Sequence, residues 1–440
     1  MRARLFVSVL FLIVSPSLCQ DFTPHLTGIV TRCATPSEFS LSGKRILVND
    51  STNVFIEQPD TSRSVEFTQL PSQNLKLYLG EPVEVYGNID AKTKTVTADR
   101  LLLYIPLPHA VAGSALIDAI LPLPAGAAPT DRLVRADGYP ILIPAAAKST
   151  FAKPLSSPSD IRENVWIDFN GIQRPDGIVV ADKVSFRQNI LSRGDEELQA
   201  TWDYDPSAVD PASHQNSLDK WFRGVDPSKF PPYKDEAAQK RITAIGQRIA
   251  PRFEANLPNE EKTRINFSFY LLDAPKWRDA VALPNGIVLV PYSLTQRLSD
   301  DTQLAATLAD KVAWLIEKQP LILPKSVADV GIDWSEVAAE VVVPAAGLVS
   351  SARDRYKKDK SRVLAEQRDR VSLSLLRDAG YNLQQAPQTW WLLSSKQPRD
   401  VSEIHMPDRA GYLYQFLGDT WPSDSATSAM PPVFHPAAPR

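Results

Sequence analysis

The chain has 440 residues, 43% apolar and 22% charged, which excludes wholesale disorder and a polytopic membrane protein and allows about two to four domains. Its 48 Lys and Arg against 51 Asp and Glu leave no broad basic footprint, so no nucleic-acid partner is expected. Glycine is scarce at 18, and no two glycines lie closer than Gly171 and Gly177, which excludes GxGxxG, GxxxxGK[ST] and GxSxG motifs and the nucleotide-binding and serine-hydrolase chemistry they serve.

At the N-terminus, Arg2 and Arg4 precede Leu5–Val14, apolar except for Ser8, and the small residues Ser17 and Cys19 follow. This reads as a secretory signal over 1–19. Ten apolar residues span about 15 Å as a helix, half of a roughly 30 Å hydrocarbon core, so no permanent membrane anchor is expected. The expectation is a soluble exported protein, periplasmic or extracellular. Removal of 1–19 leaves Cys33 alone, without an intramolecular disulfide partner.

From about 25 to 190 the text is β-like, as in Arg45-Ile46-Leu47-Val48, Leu75-Lys76-Leu77-Tyr78-Leu79 and Thr95-Val96-Thr97. An internal repeat runs through it. Glu81-Pro82-Val83-Glu84-Val85-Tyr86, leading to Thr97-Ala98-Asp99-Arg100-Leu101, matches Glu163-Asn164-Val165-Trp166-Ile167-Asp168, leading to Val180-Ala181-Asp182-Lys183-Val184. Upstream, Gly28 and Gly43 before Ile46-Leu47-Val48 match Gly113 and Gly138 before Ile141-Leu142-Ile143. Two β-barrel units are expected, 20–105 and 106–190, and the repeat resembles the small OB-like barrels of exported bacterial proteins, which implies ligand binding or a spacer role.

Residues 191–234, rich in Asp, Pro and Ser around Trp202, Tyr204, Trp221 and Phe222, read as a linker. The period then changes. Ile242, Ile245, Ile249 and Phe253 predict a helix in 235–256, and Ile265, Phe267, Phe269 and Leu271 a strand. Ala280–Leu283 and Ile287–Pro291 flank Pro284-Asn285-Gly286, a hairpin turn. A helix follows at about 301–319, capped by Ser299 or Asp300, with further helices over 334–379 and 383–395. The Pro-, Ser- and Ala-rich segment 418–440 reads as a disordered tail.

This order carries a resemblance. Ala280-Val281-Ala282-Leu283-Pro284-Asn285-Gly286-Ile287-Val288-Leu289-Val290 resembles the "NAFALPGGYIFV" hairpin of the HtpX-like and BepA-like zinc metallopeptidases, metallopeptidase family 48. Leu304–Trp314 falls on that family's "LAAVLAHEIAH", Ser361–Arg370 on its "SRExExEADR", and Asp378-Ala379-Gly380-Tyr381-Asn382 on its "RAGYD". The resemblance covers about 235–415. It implies a zincin-like, mainly helical domain over 235–417 behind the two barrels, an α+β multidomain chain overall.

The chemistry departs from that family. The two histidine positions, four apart on one helix, hold Asp310 and Trp314; the general-base position holds Lys311, and the later glutamate is Ala365, with Glu366 one helical step aside. Indole NH has no lone pair for a metal, and a lysine cation repels one. The five histidines, His25, His109, His214, His405 and His435, supply no HxxxH elsewhere. The expectation is therefore no zinc, no other cofactor and no intact catalytic residue: a pseudopeptidase. Lys311 between Asp310 and a desolvating Trp314 is the one candidate for a perturbed base or nucleophile. A peptide or protein partner is expected to add as a strand along Ile287, Val288, Leu289 and Val290. The alternatives are a residual zinc-dependent endopeptidase and a ligand-binding barrel protein.

Overall fold

The structure, a computed structural model, describes residues 25–35, 37–41, 44–58, 66–70, 75, 77, 81–103, 110–200, 231–275, 277–298, 300–319, 352–394 and 408–421. The expected signal 1–19, Ser299, His405, the aromatic residues of the expected linker and most of the expected tail lie outside them.

Short alternating strands build the first unit. β1 (His25–Thr35), β2 (Glu38–Leu41) and β3 (Lys44–Leu47) form an antiparallel meander, β4 (Asn53–Gln58) and β5 (Glu66–Leu70) a hairpin, and β6 (Pro82–Ile89) and β7 (Val96–Leu103) another. β1 pairs antiparallel with β6 and β3 pairs parallel with β7, closing five strands into a barrel. β4 runs on along β7 beyond β3.

The second unit repeats this connectivity. β8 (Ala110–Leu121), β9 (Arg132–Ala136) and β10 (Tyr139–Ile143) form the meander, β11 (Lys148–Phe151) takes the place of β4, and β12 (Val165–Gln173) and β13 (Val179–Gln188) form the closing hairpin. β8 pairs with β12 and β10 runs parallel to β13. Ile46 and Ile141 hold the same place, opposite Val96 and Val179, as their matched sequences imply.

Elsewhere the register differs by two residues. Gly87 opposes Ala98 just after a bulge, and Gly171 opposes Ala181 just after the same bulge. This makes Val83 the counterpart of Ile167 rather than Val165, and Gly28, opposite Val83, the counterpart of Ala115, opposite Ile167, rather than Gly113. A slip of two leaves every side chain on its own face, so alternation alone does not detect it.

The remaining elements are helical around a three-stranded sheet, making the whole chain mixed α/β. α1 (Arg193–Ala200) begins within the expected linker. α2 (Glu236–Ile249), N-capped by the Asp235 carboxylate, ends at Ala250 because Pro251 follows, and α3 (Arg252–Asn256) restarts after it, so the expected continuous helix is two. β14 (Ser268–Leu272) lies parallel to β16 (Ile287–Pro291), which pairs antiparallel with β15 (Val281–Ala282) across the turn at Gly286, φ +93°. α4 (Tyr292–Arg297) and α5 (Asp301–Ile316) follow, the latter capped by Asp300, whose carboxylate accepts from Thr302 and Gln303 N–H. α6 (Ala352–Asp378), α7 (Gln385–Ser394) and α8 (Asp408–Thr420) complete the fold. No helix among the described residues is long and apolar enough to cross a membrane.

Two cores result. One lies inside the first barrel, around Val30, Phe39, Ile46, Val83 and Leu101. The other is continuous from the second barrel through the helices, joining Ile117, Ile141 and Phe169 to Phe269, Leu308, Val371 and Phe416. The seam between the second barrel and the helices is specific. The Asp137-Gly138 turn between β9 and β10, with φ of +54° and +74°, enters so closely that a Cβ on Gly138 would stand 2.5 Å from the Arg370 backbone. The expected tail therefore begins too early at 418: Thr420 and Trp421 are buried, Thr420 against Gly177 and Gln173, and Trp421 edge-on to Phe416.

Candidate functional site

α5 is apolar nearly all round. Leu304, Leu308, Val312 and Leu315 are buried as their spacing predicts, and Ala305, Ala306, Ala309 and Ala313 are buried too, with α2, α6 and α7 packed against the helix. A carboxylate set into such a helix needs countercharge. Asp310 is fully buried and has three cations around it. Lys311 Nζ lies 2.9 Å from its Oδ2, Arg368 Nε lies 2.7 Å from its Oδ1, and Arg409 Nη2 donates to the same Oδ1.

The network extends outward from there. Arg409, in the first turn of α8, donates from Nε to both oxygens of Asp369, at 2.8 and 3.0 Å, while its guanidinium stacks 3.4 Å over the Trp390 ring of α7. Lys311 Nζ donates to Asp279 Oδ2 at 2.6 Å, tying α5 to the residues just before β15. Burial alone pushes the Asp310 carboxyl up, but Arg368, Lys311 and Arg409 outweigh it and hold it well below the usual carboxylate range. Burial pushes Lys311 down, and Asp279 with Asp310 more than restores it, so its ammonium is held more firmly than usual. Ion pairing of Lys311 to both Asp279 and Asp310 speaks against the expected base or nucleophile there.

The other expected positions lie nearby in sequence but not all in this network. Trp314 is half-buried and packs against the main core, and Ala365 is half-buried one turn before Arg368 and Asp369 on α6. Glu366 is turned toward the barrel seam, where its charge acts on Asp137 and Tyr139. A zinc ion does not fit these residues. The donor set around Asp310 is one carboxylate facing three fixed cations, and among the described residues no three His, Cys, Asp or Glu side chains are grouped as ligands.

The sheet corrects the expected peptide contact. Ile287, Val288, Leu289 and Val290 are all buried, and β16 is the central strand with β14 on one side and β15 on the other. A strand paired on both sides has no ladder left to offer. The outer side of β14 is also occupied. The Gln239 amide donates to Phe269 O and accepts from Leu271 N–H, Gln247 donates to Phe267 O, and Tyr233 N–H donates to Leu271 O. Among the described residues, β14 and β15 are the two edge strands of this sheet, and β15 is only two residues long, Val281 and Ala282, both buried.

Sequence reasoning missed Asp279, Arg368, Asp369 and Arg409 as partners. The available signal was the Asp310-Lys311 pair itself, since an acid interrupting an apolar helix face demands cations from elsewhere. No protein-family model matches the chain, and no curated protein matches it.

Proposed function

We propose that this chain is an exported peptide-binding protein on the frame of an HtpX-like or BepA-like peptidase, with an ion network where the hydrolytic centre would be. The observation that carries this reading is Asp310, fully buried and held by Lys311, Arg368 and Arg409, where the resemblance puts a metal-binding histidine. A centre built this way has neither a metal ligand set nor a free base. The two barrels, with their parallel closure between third and last strands, are read as OB-like units in front of it.

The peptide site is placed at β15, whose residues Val281 and Ala282 are buried and whose one partner strand among the described residues is β16. With β16 paired on both sides and β14 covered by Gln239, Gln247 and Tyr233, an extended chain adds at β15, beside α5. The test uses the purified full chain with an unfolded, reduced and alkylated reporter protein. The reading expects binding without cleavage, slower amide exchange at Val281 and Ala282 on binding, and no stoichiometric zinc. Cleavage that stops on chelation, or binding that leaves exchange at β15 unchanged, overturns it.

A further inference from the structure

Lys318 follows the end of α5 with φ +50°, a left-handed conformation that glycine takes without strain and lysine does not. Its N–H closes the helix end on Leu315 O at 3.0 Å, a role that needs no side chain. The lysine there asks for a reason in its amine. Half-buried, it reaches the end of the second barrel, where Nζ donates to Ile190 O at 3.1 Å, two residues past β13. Lys240, Lys262 and Lys311 are paired with Glu236, Glu196 and Asp279, whereas no carboxylate among the described residues forms an ion pair with Lys318.

The charges facing it are Asp195 from α1, Arg187 from β13, Glu254 from α3 and Glu261 from the turn before β14. Burial is the largest effect and, with Arg187, outweighs the three acids, which pulls the ammonium down from the ordinary 10.5 to about 8. At pH 7 about a tenth of it is then the free amine that attacks carbon, against about one in three thousand for an ordinary lysine. Three acids against one arginine favour a product that keeps the positive charge, as an iminium does and an amide or carbamate does not. Ile190 beside it is 67% exposed, an apolar surface open to the rest of such a ligand.

We propose that Lys318 is a carbonyl-capturing residue, whose Nζ condenses with an apolar aldehyde or ketone lying against Ile190 to form a Schiff base. The nitrogen lone pair adds to the carbonyl carbon, the carbonyl oxygen leaves as water with both amine protons, and the imine takes up one proton from solvent to become the iminium. This site is separate from the peptide-binding reading and does not depend on it.

Benzaldehyde with cyanoborohydride tests it on the full chain. The reductant delivers hydride to the iminium carbon and fixes it as a benzylamine, and peptide mass spectrometry reads the extent at each lysine. At pH 7 Lys318 should be labelled about tenfold faster than the exposed Lys92, Lys94, Lys148 and Lys183, the larger free-amine share being offset in part by the weaker nucleophilicity of a less basic amine. The excess should vanish in urea, where burial is lost. It should fall severalfold in R187Q, because loss of that half-exposed cation returns the proton to Nζ. A lysine that only pins Ile190 is half-hidden from the aldehyde and labels more slowly than the exposed four; that result overturns the proposal, as does an excess that persists in urea or is unmoved in R187Q.

Discussion

Arg370 of α6 reaches across the seam to Asp137 in the β9–β10 turn, donating from Nη2 to Oδ1 at 2.6 Å and from Nε to Oδ1 at 3.1 Å, while its Nη1 donates to the Tyr412 hydroxyl at 2.7 Å. Both partners of the pair are nine-tenths or more buried, and the guanidinium lies 5.2 Å from the Tyr139 ring centroid. The second barrel is thus fastened to the helices by a buried charge pair. Removing one member leaves the other uncompensated, at a cost of about 3–5 kcal/mol. R370M should lower urea-unfolding stability by that order, and the double variant D137N/R370M should recover part of the loss. Strict additivity of D137N and R370M would show that the pair does not couple the two halves.

Asp310 has the same logic in a more crowded site. Removing its charge sets Lys311, Arg368 and Arg409 against one another in a buried place. D310N should therefore destabilise by about 3–5 kcal/mol at neutral pH. The pH dependence has a definite sign. Its folded carboxyl lies below the ordinary 3.8, so in acid the unfolded chain binds the extra proton and stability is lost as pH falls below that value. The native protein should lose stability between pH 4 and pH 2 more steeply than D310N; parallel acid profiles would remove Asp310 from the network.

What the sequence disclosed and what it hid divide along range. Local patterns placed the β15–β16 hairpin at Pro284-Asn285-Gly286 and the start of α5 at Ser299 or Asp300, of which Asp300 caps it, because turns and caps are set by neighbouring residues. The internal repeat was legible through Ile46 and Ile141, yet its register slipped by two in β1 and β6, where alternation is blind to the slip and only the bulge glycines mark the true frame. The ion network was hidden for a different reason. Asp310 and Arg409 are 99 residues apart, and neither motif nor period links them. The burial of Ile287–Val290 was hidden too, because a five-residue apolar run reads alike as an edge strand and as the middle of a sheet.

Those bulge glycines allow a direct test of two cores. A Cβ on Gly87 would meet Thr97 O at 2.1 Å, and one on Gly171 would meet Val180 O at 2.4 Å; both obstacles are backbone and cannot swing away. G87A and G171A should each cost about 1–3 kcal/mol. Because the first barrel has its own core, G87A should lower only the unfolding transition of that barrel, while G171A should lower the transition shared by the second barrel and the helices. Calorimetry separates them. G418A is the control: nothing lies within 4 Å of its Cβ in α8, so it should be neutral or stabilise by about 0.5–1 kcal/mol. Identical shifts from G87A and G171A would mean that the chain unfolds as one unit.

Glu254 gives the opposite pH slope to Asp310. It is buried at the C-terminal side of α2, in α3, where burial pushes its carboxyl up to about 7, only partly countered by the Ile265 N–H it accepts at 2.8 Å and by the charges of Arg264 and Lys318. Between the ordinary 4.5 and 7 the folded protein holds a proton that the unfolded chain has released. Stability from this group is complete below 4.5 and falls as pH rises through 7, by about 3 kcal/mol in all. Glu317, pushed up by burial and by the charges of Asp137 and Asp118, slopes the same way. The urea midpoint of the native protein should therefore be lower at pH 8 than at pH 5. E254Q keeps an acceptor for Ile265 N–H and cannot ionise, so it should shrink that difference while leaving the Glu317 share in place. An unchanged difference in E254Q would mean that Glu254 is ionised in the folded protein throughout this range.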